Sequence, residues 1–117
     1  MRKSRGYIGV DFDGTLATYD KYEGPTVLGE PIMPMVNRVR RWLSQGKLVK
    51  IFTARVATDH TQEEIDLGEA AIKAWCKLHI GAELEVTAMK HSRMYQFWDD
   101  KAVSVEKNTG KVLSGHE

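Results

Sequence analysis

The sequence predicts a single α/β domain spanning residues 1–117, a three-layer sandwich around a mostly parallel, Rossmann-like sheet with a C-terminal β-hairpin. Three observations carry this expectation. Short apolar runs alternate with amphipathic helical patterns, which implies parallel strands joined by right-handed helical crossovers. Turn residues stand at each change of pattern. The 117 residues match one compact domain, and no repeat, low-complexity tract or linker divides them.

Tyr7-Ile8-Gly9-Val10-Asp11-Phe12 reads as a buried strand, an apolar run stopped by Asp13-Gly14. Residues 15–30 carry Gly24, Pro25 and Gly29 and read as a loop or small hairpin. A helix is expected from about Ile32 to Ser44, where Ile32, Val36, Val39 and Leu43 form an apolar stripe. Pro31 and Pro34 fit only near its start, and Gly46 suits its C-terminal cap. Lys47–Phe52 is the second strand, ending at Thr53 and followed by a loop over 54–60. Thr61 and Glu64 form a capping box opening a helix to about His79. Its buried face is Ile65, Gly68, Ile72, Trp75, Cys76 and His79, and Gly81 ends it. Leu84–Thr87 and Met94–Trp98 are the third and fourth strands. Val103–Leu113, with Asn108-Thr109-Gly110 in its middle, reads as the terminal hairpin.

Composition narrows the function classes. At 42% hydrophobic and 28% charged residues, the chain can build one core but not two. A net charge of +1 gives no bulk pull toward nucleic acid or anionic membrane. The basic clusters Arg2/Lys3/Arg5 and Arg38/Arg40/Arg41 read as solvated surface. Cys76 is the only cysteine, so no intrachain disulfide is possible, and its helical position predicts a buried thiol. The apolar run at Tyr7–Val10 is too short for a signal peptide, and no stretch approaches transmembrane length. A cytoplasmic protein without a membrane partner is therefore expected. No His-Cys cluster has zinc spacing.

Parallel sheets bind ligands at the carboxyl ends of their strands. Those ends carry Asp11, Thr53, the stretch after Thr87, and Asp99-Asp100. Asp11 and Asp13 repel each other, and Asp99 and Asp100 add negative charge at the same edge. A magnesium ion offsets such charge, because it favours hard oxygen ligands and commonly takes one or two carboxylates plus phosphate oxygens. A calcium loop of the EF-hand type also begins Asp-x-Asp, but needs its glycine at the sixth position; here glycine is fourth and follows a buried strand. No Walker-type phosphate loop is present.

Asp11-Phe12-Asp13-Gly14-Thr15-Leu16 resembles the first motif of haloacid dehalogenase superfamily phosphatases. Ile51-Phe52-Thr53-Ala54-Arg55 is similar to the second, Lys90 to the third, and Phe97-Trp98-Asp99-Asp100-Lys101-Ala102 to the acidic fourth. The order runs from about residue 6 to residue 103. The resemblance implies a haloacid dehalogenase-like core in which Asp11 is the nucleophile and Asp13 the acid and base. Magnesium would be held by the Asp11 carboxylate, the Asp13 backbone carbonyl and an acid of the Asp99-Asp100 pair. Thr53, the backbone N–H of Ala54 and Lys90 would hold the phosphoryl oxygens. His91, Arg93 and Lys101 lie near enough to compete with Lys90 for the lysine role. The superfamily's dehalogenases lack the second aspartate, so Asp13 favours phosphate-ester chemistry.

The gaps between motifs leave no room for a cap domain, which implies the capless class and an open site. A phosphorylated small molecule or a nucleic-acid end is then the expected partner, with a second subunit of a homo-oligomer as a possible cover. The 15–30 segment is the nearest candidate flap, Tyr19 and Tyr22 are candidates to stack on a base or sugar, and Arg55 either binds a second anionic group or makes a structural ion pair. The leading expectation is a magnesium-dependent phosphomonoesterase, with a nucleotide or polynucleotide-end phosphatase as runner-up. The alternative of another class is a non-catalytic module that binds a phosphorylated ligand or a protein.

Overall fold

The structure, a computed structural model, describes residues 6–113; the basic cluster Arg2/Lys3/Arg5 lies outside the described residues. The elements in order are β1 (Tyr7–Asp11), α1 (Met33–Ser44), β2 (Leu48–Phe52), α2 (Gln62–His79), β3 (Glu85–Thr87) and β4 (Met94–Trp98). The four strands form one sheet in the order β3-β2-β1-β4. Every neighbouring pair is parallel, so the sheet is wholly rather than mostly parallel. β1 lies inside the sheet, and its C-terminal carboxylate is flanked by the ends of β2 and β4.

Strand alternation sorts the side chains. Ile8, Val10, Val49, Ile51 and Val86 join Val36, Val39 and Trp42 of α1 and Ile72, Trp75 and Cys76 of α2 in one contiguous core. Phe12 extends it, fully buried, with its ring 4.9 Å from that of Trp75 at 79°. Burial holds the Cys76 thiol up at about 12, so it is an inert part of the core. The alternate strand positions carry a second, smaller cluster. A Cβ on Gly9 would lie 2.7 Å from Met94 Sδ and 3.0 Å from the Phe52 ring, which is why a glycine stands inside β1. Residues 88–93 cross beside this cluster. The Tyr7 hydroxyl accepts from the His91 N–H at 2.8 Å, and Lys90 lies over the Phe97 ring at 5.7 Å.

Helix ends follow the sequence signals. The capping box of α2 is formed in both directions, with the Glu64 N–H donating to Thr61 Oγ1 at 3.1 Å and the Thr61 N–H to Glu64 Oε1 at 2.9 Å. Pro34 sits in the first turn of α1, where its missing N–H costs nothing. Ile65 and His79, expected on the buried face of α2, are only half-buried. Residues 54–56 form a single 3-10 turn in the expected loop.

The C-terminal segment departs from expectation. Val105 and Val112 make one antiparallel bridge, and among the described residues no strand forms around them. Asn108 and Gly110 take positive φ and close the turn, but Val103 and Val105 stay about half-exposed. A two-stranded hairpin by itself is marginal in water.

Candidate functional site

Asp11 ends β1, and the chain then turns sharply. The Phe12 carbonyl accepts from the N–H groups of Leu16 at 2.9 Å and Ala17 at 3.0 Å, while the Gly14 N–H donates to Ala17 O at 2.8 Å. Leu16 and Ala17 are fully buried and anchor the far side of this turn. Phe12 points into the core, so Asp11 and Asp13 both stay at the sheet edge. Gly14 has φ +87, and a Cβ there would stand 2.7 Å from Asp100 Oδ2. The glycine therefore both makes the turn and lets Asp100 close on it.

Three carboxylates converge. One oxygen each from Asp11, Asp99 and Asp100 lies within 4.8 Å of the other two. Thr15 Oγ1 bridges two of them, 3.1 Å from Asp11 Oδ2 and 3.2 Å from Asp100 Oδ1. The Asp99 carboxylate accepts the Lys101 N–H at 3.1 Å. Burial, then the hydrogen bond to Asp100 and the charge of Asp99, raise the Asp11 carboxyl from 3.8 to about 7, against a lowering by Thr15. A protonated carboxyl is a poor nucleophile. A divalent cation among these oxygens would remove that proton and restore the anion. An octahedral magnesium ion spans about 4 Å between opposite ligands, so small carboxylate movements suffice to share one. The donor set, hard oxygens only, fits such an ion.

Asp13 is not part of this triad. Both of its oxygens accept from Arg55, Nε to Oδ2 at 2.8 Å and Nη2 to Oδ1 at 3.1 Å. Arg55 is 4% exposed. Its Nη1 donates to Gly24 O at 3.0 Å and its guanidinium lies 5.1 Å from the centre of the Tyr22 ring. Of the two roles expected for Arg55, the ion pair is the one formed, and it couples Asp13 to the 15–30 loop.

Thr53 is buried at the end of β2. Its Oγ1 accepts the Arg55 N–H at 3.1 Å and retains its own proton for donation. Asp11, Asp13, Tyr19, Thr53, Ala54, Asp99, Asp100 and Lys101 line one cavity of about 200 Å³. Thus Asp11, Asp13, Thr53, Ala54, Asp99, Asp100 and Tyr19 come together at this cavity, whereas Lys90 sits over Phe97 and Lys101 is the lysine among the lining residues. Thr15 was visible in the first motif, but its bridging role depends on Asp100, 85 residues away.

No family model, curated protein or solved structure matches the chain.

Proposed function

We propose that the protein is a magnesium-dependent phosphomonoesterase working through an aspartyl-phosphate on Asp11. One observation carries the reading. Three carboxylate oxygens meet at the sheet edge beside a buried threonine, with a fourth carboxylate two residues from the central one. On this reading the sheet and its two helices are a reduced haloacid dehalogenase-like core. The 88–93 segment takes the place of a helix on the second face, leaving two of the three expected layers.

Magnesium would be held by Asp11, Asp99 and Asp100, with the Asp13 carbonyl, and would offset charge on the carboxylates and the phosphoryl group. An Asp11 oxygen attacks phosphorus, the bond from phosphorus to the leaving oxygen breaks, and that oxygen takes a proton that Asp13 has first accepted from solvent on the oxygen freed from Arg55. Asp13 then takes a proton from water as the water oxygen attacks phosphorus, and the acyl phosphate bond breaks to free phosphate and Asp11. Because Arg55 holds both Asp13 oxygens, each proton transfer requires one oxygen to leave the guanidinium. Thr53, the Ala54 N–H and Lys101 face the phosphoryl oxygens, with Lys101 replacing Lys90 in that role.

Phosphate release from an aryl phosphate tests this. Release should require magnesium and fall to background in Asp11→Asn, since an amide is a poor nucleophile. Turnover that persists in that variant or in chelator would sink the mechanism.

A further inference from the structure

Resting on the phosphatase reading, we infer that the 18–29 loop frames the subsite for the leaving alcohol. The subsite suits phosphate monoesters of an uncharged, ring-bearing, hydroxylated alcohol such as a nucleoside. A second cavity of about 310 Å³ lies against this loop, and Tyr19 lines both it and the acidic cavity. Direction comes from the acid. Asp13 delivers its proton to the leaving oxygen, so the leaving group lies on the Asp13 side. Arg55, which clamps Asp13, lines the second cavity.

The walls select the alcohol. Asp20 and Glu23 face the cavity against one lysine, Lys21. The Arg55 guanidinium is already engaged by Asp13 and Gly24. A second phosphate would meet two carboxylates, while hydroxyls find acceptors in them. Tyr19 is 45% exposed and offers a ring face for stacking. The volume is at the small end for ligand pockets, roughly 300–1,000 Å³, which fits one nucleoside. The loop is built before any ligand arrives. Trp75 Nε1 donates to Gly29 O at 2.9 Å, and the Thr18 N–H donates to Glu30 O at 2.8 Å.

The test measures magnesium-dependent phosphate release from a nucleoside 5′-monophosphate, glycerol phosphate, a sugar bisphosphate and a 3′-phosphorylated oligonucleotide. Wild type is compared with Tyr19→Ala and Val27→Trp, with Asp11→Asn as blank; Val27 lines the cavity yet is 48% exposed, so a larger side chain is compatible with folding. The wild type should prefer the nucleoside ester over the other three. The ratio of kcat/KM for the nucleoside ester to that for glycerol phosphate should fall about tenfold in each variant, the scale of one lost ring stack, mainly through KM. A ratio unchanged in both variants, or preference for the bisphosphate or the oligonucleotide, overturns the subsite. If no ester is hydrolysed, the reaction itself fails and binding of the free nucleoside decides. Binding that Val27→Trp weakens about tenfold supports the subsite, and absence of binding to the wild type overturns it.

Discussion

Replacing Asp100 with asparagine should make the metal-free protein more stable at pH 8 while removing most of its response to magnesium. The native Asp11 carboxyl is raised from 3.8 to about 7, so between those values the folded state holds a proton that the unfolded chain has released. Full stability is therefore present below about pH 4 and is lost as pH rises through about 7. At roughly 1.4 kcal/mol per pH unit the loss is at most about 4 kcal/mol, and screening at a half-buried carboxyl reduces it to about 2 kcal/mol. Burial is the largest cause and survives the substitution; the hydrogen bond and charge of Asp100 do not. Asp100→Asn should thus recover about 1 kcal/mol, or about 4 °C in Tm for a domain of this size. The asparagine oxygen still accepts from Thr15, whose hydroxyl donates to Asp100 Oδ1 at 3.2 Å in the wild type, so the gain is electrostatic. Thermal unfolding in chelator at pH 5 and pH 8 reads the effect, and subtracting variant from wild type cancels the other titrating groups. Magnesium should then raise the wild-type Tm and raise that of the variant far less. A variant less stable than wild type at pH 8, or a difference that ignores pH, would refute the reasoning.

Three further outcomes follow from the geometry. Gly14→Ala forces a side chain to φ +87 and into the space of Asp100, so it should lose about 2 kcal/mol and, with Asp100 displaced, the magnesium-induced rise in Tm. Arg55→Met strands Asp13 and unpins Gly24, and should cost about 3 kcal/mol in urea unfolding together with most phosphate release. Thr61→Ala removes one half of the capping box at a residue that lines neither cavity, and should cost about 1 kcal/mol while phosphate release per folded molecule stays at the wild-type value.

The elements that could be read from sequence are those whose signals are local. Apolar alternation in β1 and the stripe Val36, Val39 locate buried faces, and the Thr61–Glu64 box sets the start of α2. Strand-end logic also brings Asp11, Thr53, Asp99 and Asp100 to one edge, because parallel strands must all finish there. What sequence spacing misleads about is anything that depends on a surface or a distant partner. The turn chemistry at Asn108-Thr109-Gly110 is sound, yet Val103 and Val105 on its arms stay about half-exposed. Lys90 stands at the right place in motif order, but residues 88–93 cross the far face of the sheet and carry it onto Phe97. Lys101, fixed beside Asp99 by its own backbone, lines the cavity instead.

The Asp13–Arg55 pair shows why the reaction is easier to read than the substrate. On the proposed reaction the attacking and charge-bearing groups sit on strand ends, where two-residue periodicity and the sheet order fix them. On the proposed function the substrate's non-reacting part would be met by the 18–29 loop, whose path is set by contacts across the chain: Arg55 to Gly24, Trp75 to Gly29, Thr18 to Glu30. Arg55 belongs to both sets. It follows Thr53 directly, so β2 places it beside the cavity, and its guanidinium has enough donors to hold the acid and the loop together. Changes at exposed loop positions such as Val27 should consequently alter which ester is hydrolysed, whereas changes at Arg55 should alter selectivity, proton transfer and stability together.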